Sequence, residues 1–179
     1  MKIAIGYPPI NTDKGVALLS QNRQFQYFNA KTYIYPMVPA YAASQAKAKG
    51  YDVVWLDGIA EEWSYDEWLK KLEEEKPDML MVETKSPIVK MHWQITKDLK
   101  KKFPNMILVW VGDHVTYIPK EFMDNSEADY VITGGDYDFM LSELADSITK
   151  GTVLAGGIWG RKSDKRVKLG DFIRWEDSD

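Results

Sequence analysis

Three short stretches hold the polar side chains whose types and spacing bear on chemistry, and each follows directly on an apolar run. Thr84-Lys85-Ser86-Pro87 comes after DMLMVE, Gly112-Asp113-His114-Val115-Thr116 after MILVWV, and Gly134-Gly135-Asp136-Tyr137 after DYVIT. Pro8 and Pro9 hold the same place after the first apolar run, KIAIGY. These groups suit binding more than bond cleavage. Small residues let a ligand reach the backbone, and hydroxyls and helix N-termini favour phosphate or carbonyl oxygens. The chain has no hydrolase motif, and no phosphate-binding glycine loop follows the first run.

The elements that must position these residues alternate regularly. KIAIGY (2–7), DVVWLD (52–57), DMLMVE (78–83), MILVWVG (106–112) and DYVITG (129–134) are short, rich in Val and Ile, and read as strands buried on both faces. Between them, 38–50 reads as a helix ended by Gly50. Residues 64–76 open with a Ser64/Glu67 capping box and stop at Pro77. Residues 86–103 have Ser86 as N-cap and Pro87 at the first helical position. Helices are also expected at 120–125 and 136–151. The pattern predicts an α/β fold, a doubly wound five-stranded parallel sheet with helices on both faces. In such sheets ligands sit outside the carboxyl ends of the strands, where every polar stretch above falls.

Two regions depart from the alternation. Residues 8–36 are far longer than the usual connection of about 2–6 residues, and their aromatics (Phe25, Tyr27, Phe28, Tyr33, Tyr35) predict an ordered loop that covers a ligand or a neighbour. Across 21–41 these rings stand among Gln, Asn and Arg, as on a contacting surface. Residues 151–179 read as a hairpin or linker leading out of a domain that spans 1–150.

Composition narrows the function. At 179 residues and 45% hydrophobic, one core and one domain are the default. A net charge of −4 with interspersed signs lacks the footprint of a nucleic-acid binder. With no cysteine, the chain carries no thiolate zinc site and no cysteine-ligated iron–sulfur cluster of its own. No apolar run approaches the ~20 residues needed to span a bilayer, so neither nucleic acid nor membrane is an expected partner, and the cytoplasm is the expected location.

Other readings of single residues stay open. Gly134-Gly135 also suits a tight strand-to-helix turn, and Asp113-His114 an Asx turn with a surface imidazole. His92 reads as a packed or half-exposed side chain in preference to a ligand. Asp57 and Lys85 suit a phospho-acceptor receiver, although the acidic pair after the first strand is replaced by YPP.

Taken in order, YPP, QNRQF, TYIYPMVPAYAA, GYDVVWLDGIAE, KPDMLMVETKSP, HWQI, GDHVTYIP and DYVITGGDYDF resemble the N-terminal cobalamin-binding domain of B12-dependent radical S-adenosylmethionine enzymes. The likeness implies a Rossmann-like, flavodoxin-type domain holding cobalamin, and hence cobalt, at the carboxyl edge of its sheet, with the nucleotide tail beside the fourth and fifth strands. Carried over position by position, the cofactor contacts would be Pro8, Pro9, Thr84, Lys85, Ser86, Pro87, Gly112, Asp113, His114, Val115, Thr116, Gly134, Gly135, Asp136 and Tyr137. The family includes anaerobic methyltransferases and cyclases in which a barrel adds a 4Fe-4S cluster and S-adenosylmethionine. That barrel is expected outside these 179 residues, so no catalytic residue and no protein metal ligand is assigned to the chain.

One departure is informative. The B12 domains of mutases and methionine synthase carry Asp-x-His-x-x-Gly after the first strand, and YPPINTDKG has no such histidine. Cobalamin is therefore expected base-off without a histidine lower ligand. His114 is expected to serve the pocket or the tail. Two functions remain in view, a non-catalytic cobalamin module of a larger enzyme and a free-standing flavodoxin-like corrinoid carrier or nucleotide binder.

Overall fold

The computed structural model describes residues 1–10, 12–19, 26–30, 32, 35–135, 137–154, 156–161, 166, 168–169 and 174–175. In chain order these form β1 (Lys2–Tyr7), the hairpin strands β2 (Val16–Leu18) and β3 (Gln26–Phe28), α1 (Met37–Ala48), β4 (Asp52–Asp57), α2 (Tyr65–Glu75) and β5 (Met79–Glu83). A 3-10 turn at Ser86–Ile88 leads into α3 (Val89–Lys102), then β6 (Ile107–Val111), α4 (Asp113–Tyr117), α5 (Pro119–Asn125), β7 (Tyr130–Ile132) and α6 (Tyr137–Lys150). Four short strands follow: β8 (Val153–Leu154), β9 (Ile158–Arg161), β10 (Lys168–Leu169) and β11 (Arg174–Trp175).

The five expected strands lie parallel in the order β4-β1-β5-β6-β7, the doubly wound arrangement. Successive side chains of a strand point to opposite faces, so a strand covered on both sides must be apolar throughout. Ile3, Ile5, Met79, Met81, Val109 and Val111 pack beneath α1 and α6, where Ala42, Ala46, Leu141 and Ala145 allow close approach. Ala4, Leu80, Val82, Leu108 and Trp110 face the other way, onto Trp68, Leu72, Ile95, Leu99 and Phe122 of α2, α3 and α5. No helix among the described residues is long and apolar enough to cross a membrane.

The strand count differs from the expected five. β9 adds antiparallel to β7, and β11 pairs with β9, giving a seven-stranded sheet. IWGR is too short and too mixed to read as a strand, yet it covers the backbone edge that β7 would otherwise expose. Among the described residues of 151–179 the strands form no antiparallel hairpin: β8 pairs parallel with β10, β9 pairs parallel with β11, and β9 also joins β7.

One local reading is corrected and two gain detail. Ser86 is not a helix N-cap: the chain enters through a 3-10 turn without a side-chain cap, and the Ser86 hydroxyl is spent elsewhere. Residues after Gly112 form one turn of helix, α4, too short to leave a periodic signature. The insertion at 8–36 contains the β2–β3 hairpin. By contrast the Ser64/Glu67 capping box is present with both of its hydrogen bonds.

Arg161 ties β9 to the body of the sheet. Its Nε donates to the Ala128 carbonyl at 2.9 Å, and Nη2 donates to the Met123 and Ser126 carbonyls at 3.0 and 2.7 Å. These carbonyls lie at and beyond the end of α5, which lacks internal partners for its last C=O groups. Arg161→Met is expected to lower unfolding stability by about 2 kcal/mol, since charge-assisted bonds are lost while apolar volume is kept. Urea denaturation checks this. A change under about 0.5 kcal/mol would mean that β9 contributes little to the fold.

Candidate functional site

The carboxyl ends of β5, β6 and β7 open into a cleft of about 780 Å³ on the α1 and α6 side of the sheet. Glu83 and Lys85 form its floor at the end of β5. Gly112, Asp113, Thr116 and Tyr117 enter from β6 and α4, and Gly134, Gly135 and Tyr137 from the β7–α6 connection. Val38 and Pro39, in the first turn of α1, close the remaining side.

Gly112 sets the shape of the edge. Its φ is +111°, and a Cβ there would stand 2.5 Å from the Thr84 carbonyl oxygen, so the position tolerates no side chain. The Thr84 amide donates to the Val111 carbonyl at 2.9 Å, holding the two strand ends together one residue beyond their ladder. Beneath this contact the fully buried Thr84 hydroxyl meets His92 Nδ1 at 2.8 Å, and the His92 ring packs against Trp110. His92 is thus packed and not half-exposed, the two placements that its sequence context left open. Burial pushes its imidazole down to a pKa of about 3, leaving it neutral.

The two glycines after β7 differ from Gly112. A Cβ at Gly134 or Gly135 would meet nothing within 4 Å among the described residues. Gly134 has a φ of +91°, which by itself favours glycine, whereas Gly135 has no positive φ. The Gly134 amide donates to Thr116 Oγ1 at 3.0 Å, and that hydroxyl donates to the Gly112 carbonyl at 2.8 Å. Thr116 therefore cross-links the second and third loops of the cleft.

The floor is ionic and buried. Lys85 Nζ lies 2.7 Å from Asp113 Oδ2 and 3.6 Å from Glu83 Oε1, while the Tyr7 hydroxyl donates to Glu83 Oε2 at 2.8 Å. Burial holds the Glu83 carboxyl above the usual carboxylate range, an effect that the Tyr7 hydrogen bond and the Lys85 charge only partly offset and the Asp113 charge adds to. Burial, followed by the charges of Glu83 and Asp113, holds the Tyr137 hydroxyl far above the usual phenol range, so it stays a protonated donor.

Seven sequence-predicted residues meet in the cleft: Lys85, Gly112, Asp113, Thr116, Gly134, Gly135 and Tyr137. Asp136 lies outside the described residues. Others sit apart. Pro8 and Pro9 are buried beyond β1, with Pro9 against Gly58, because the cleft lies over β5 to β7 and not over β1. Val115 is in the core. Ser86 and Pro87 are exposed, and Thr84 is engaged beneath the strand ends. His114 is 6% exposed, with Nδ1 3.0 Å from the Ser86 hydroxyl and Nε2 3.0 Å from Glu121 Oε2, out of line for a hydrogen bond. It faces α5 and does not line the cleft.

Sequence reasoning missed Tyr7, Glu83, Val38, Pro39 and Tyr117. The one signal that could have found Glu83 is an acid closing the otherwise apolar run MLMVE. The receiver-like pair separates: Asp57 accepts its own turn's amides from Ile59 and Ala60, at 3.1 and 3.0 Å, while Lys85 pairs with Asp113. Among the described residues no group of three His, Asp or Glu side chains could hold a metal ion. In the long first loop, Tyr27 and Phe28 are half-buried and Tyr35 is exposed, stacked 6.3 Å from Trp55, while Phe25 and Tyr33 lie outside the described residues.

Residues 27–140 match the family described as the B12 binding domain. A curated protein of Pyrococcus horikoshii, described as an uncharacterized methyltransferase, is 26% identical over 121 residues, covering 68% of this chain and 26% of that protein. Among solved structures, the radical S-adenosylmethionine methyltransferase TsrM from Kitasatospora setae, with cobalamin and a 4Fe-4S cluster bound, aligns with a TM-score of 0.62 at 17% identity. That alignment covers 88% of this chain and 26% of that one, so the chain spans about a quarter of the length of each relative.

The buried imidazole beneath Thr84 predicts an acid-sensitive fold. His92 has a folded pKa of about 3 against about 6.5 when unfolded, so the unfolded chain binds the proton first. The stability that this site contributes is complete above about pH 6.5 and is lost as pH falls toward about 3. Melting temperatures measured across this window should fall less steeply in His92→Gln than in the natural chain. Equal slopes would show that the ring already carries its proton in the folded protein.

Proposed function

The chain belongs to the B12-binding domain family, and we propose that the cleft over β5, β6 and β7 holds cobalamin for a larger radical S-adenosylmethionine enzyme, a methyltransferase or cyclase. The observation that carries this reading is Gly135. Neither backbone conformation nor packing among the described residues demands a glycine there, and the absent side chain gives a bound group room to approach the backbone closely.

The residues fit such a guest. At about 780 Å³ the open cleft would seat part of so large a guest, with the remainder outside it. Gly134 and Gly135 present backbone beside open space, and Val38, Pro39 and Tyr117 offer apolar surface to the flat ring. Tyr137 keeps a donor at the wall, and Thr116 fixes the spacing of the two loops. When bound, the corrinoid supplies cobalt-centred chemistry, and the protein contributes position and surroundings.

Both histidines of the chain are engaged away from the cleft, His92 beneath Thr84 and His114 beside α5. This supports cobalamin bound with no histidine below the cobalt, and the displacement of the cofactor's own base is part of the same proposal. The barrel, its 4Fe-4S cluster and S-adenosylmethionine belong to the remaining part of the enzyme in this reading, with residues 151–179 on the way to it and the aromatic loop at 8–36 between corrin and barrel.

Equilibrium dialysis with hydroxocobalamin tests the reading. The folded chain should retain the cofactor, and reduction to the cobalt(II) state should give a spectrum without nitrogen splitting from below. Gly135→Val should abolish retention while the melting temperature moves by less than about 2 °C, under the shift expected from ~1 kcal/mol in a domain of this size. No retention by a folded natural chain, or unchanged retention by Gly135→Val, would contradict it.

A further inference from the structure

We propose that the cleft sorts corrinoids by the charge of their edge, accepting rings whose peripheral side chains are carboxamides and excluding those that carry free carboxylates. The inference rests on the cobalamin reading and names the ligand class within it. Among the described residues that line the cleft, two are carboxylates, Glu83 and Asp113, and one is a cation, Lys85. Lys85 is already committed to both, at 3.6 and 2.7 Å, with its side chain only 8% exposed. Its charge is therefore spent on the protein's own acids, and one negative charge is left in excess.

The placement of the two acids divides the work. Glu83 is 5% exposed and accepts the Tyr7 hydroxyl, so it acts on a guest through its field. Asp113 is 55% exposed on the cleft wall, where the edge of a guest meets it directly. A carboxylate accepts hydrogen bonds and donates none, so it complements the N–H groups of a primary amide. A second carboxylate brings no donor and adds like charge, and a concave site with low-dielectric walls strengthens that repulsion. The Tyr137 hydroxyl is a donor able to serve an amide carbonyl, so the cleft lining holds a partner for either end of a carboxamide.

Dicyanocobinamide and dicyanocobyrinic acid isolate the edge, since both carry the ring and lack the nucleotide, and the first bears amides where the second bears carboxylates. In absorbance titrations at low ionic strength the amide form should bind the chain at least about tenfold more tightly, a difference of ~1.4 kcal/mol. Added salt should narrow the gap, and Asp113→Asn should reduce it to within about threefold, by improving the acid's affinity. Equal affinities in the natural chain, a gap that salt leaves untouched, or a ratio unmoved by Asp113→Asn would overturn the inference. If hydroxocobalamin is retained and neither probe binds, edge sorting falls alone. If none of the three is retained, the cobalamin reading falls with it.

Discussion

The contact between the Gly112 Cα and the Thr84 carbonyl governs the carboxyl edge of this sheet. With any side chain at 112 the ends of β5 and β6 would have to separate, because a Cβ would press on backbone that the Thr84 amide already fixes to Val111. Their closeness brings Lys85 within reach of Asp113, lets α4 begin at once after the strand, and places Thr116 where one hydroxyl serves both Gly112 and Gly134. His92 supports the same contact from below at the cost of keeping an imidazole neutral in the core. Floor and walls of the cleft thus follow from one short backbone approach.

The parallel core was legible because covering both faces of a sheet forces an unbroken apolar run, and KIAIGY and MILVW satisfy that demand without ambiguity. The capping box at Ser64 and Glu67 was legible for a local reason, since both its bonds lie within four residues. β9 was hidden because its pairing with β7 is set by tertiary context: four residues, one of them glycine and one arginine, hold no periodic signal. Arg161 gives the strand its anchor, and nothing in the local sequence shows which carbonyls it will meet.

The site was half legible for similar reasons. Glycines and hydroxyls at strand ends mark an edge where ligands approach, and Gly112, Thr116, Gly134 and Gly135 do meet there. Which side of the sheet each side chain takes was not readable. His114 Nδ1 and the Ser86 hydroxyl meet beside α5, and Pro9 fills the space next to Gly58. Glu83 escaped notice because a strand-ending acid reads as a boundary marker, whereas here it is buried with Tyr7 and Lys85 as partners. The anionic floor is therefore a property of packing, assembled from β1, β5 and α4.

Hydrogen exchange of the chain with and without cobalamin would locate the guest. The account predicts added protection of backbone amides at 112–117 and 134–140, the walls of the cleft, with little change at 102–106 on the opposite edge of the sheet. Protection confined to the opposite edge, or none in a chain that has bound the cofactor, would contradict the placement of cobalamin at the carboxyl ends of β5, β6 and β7.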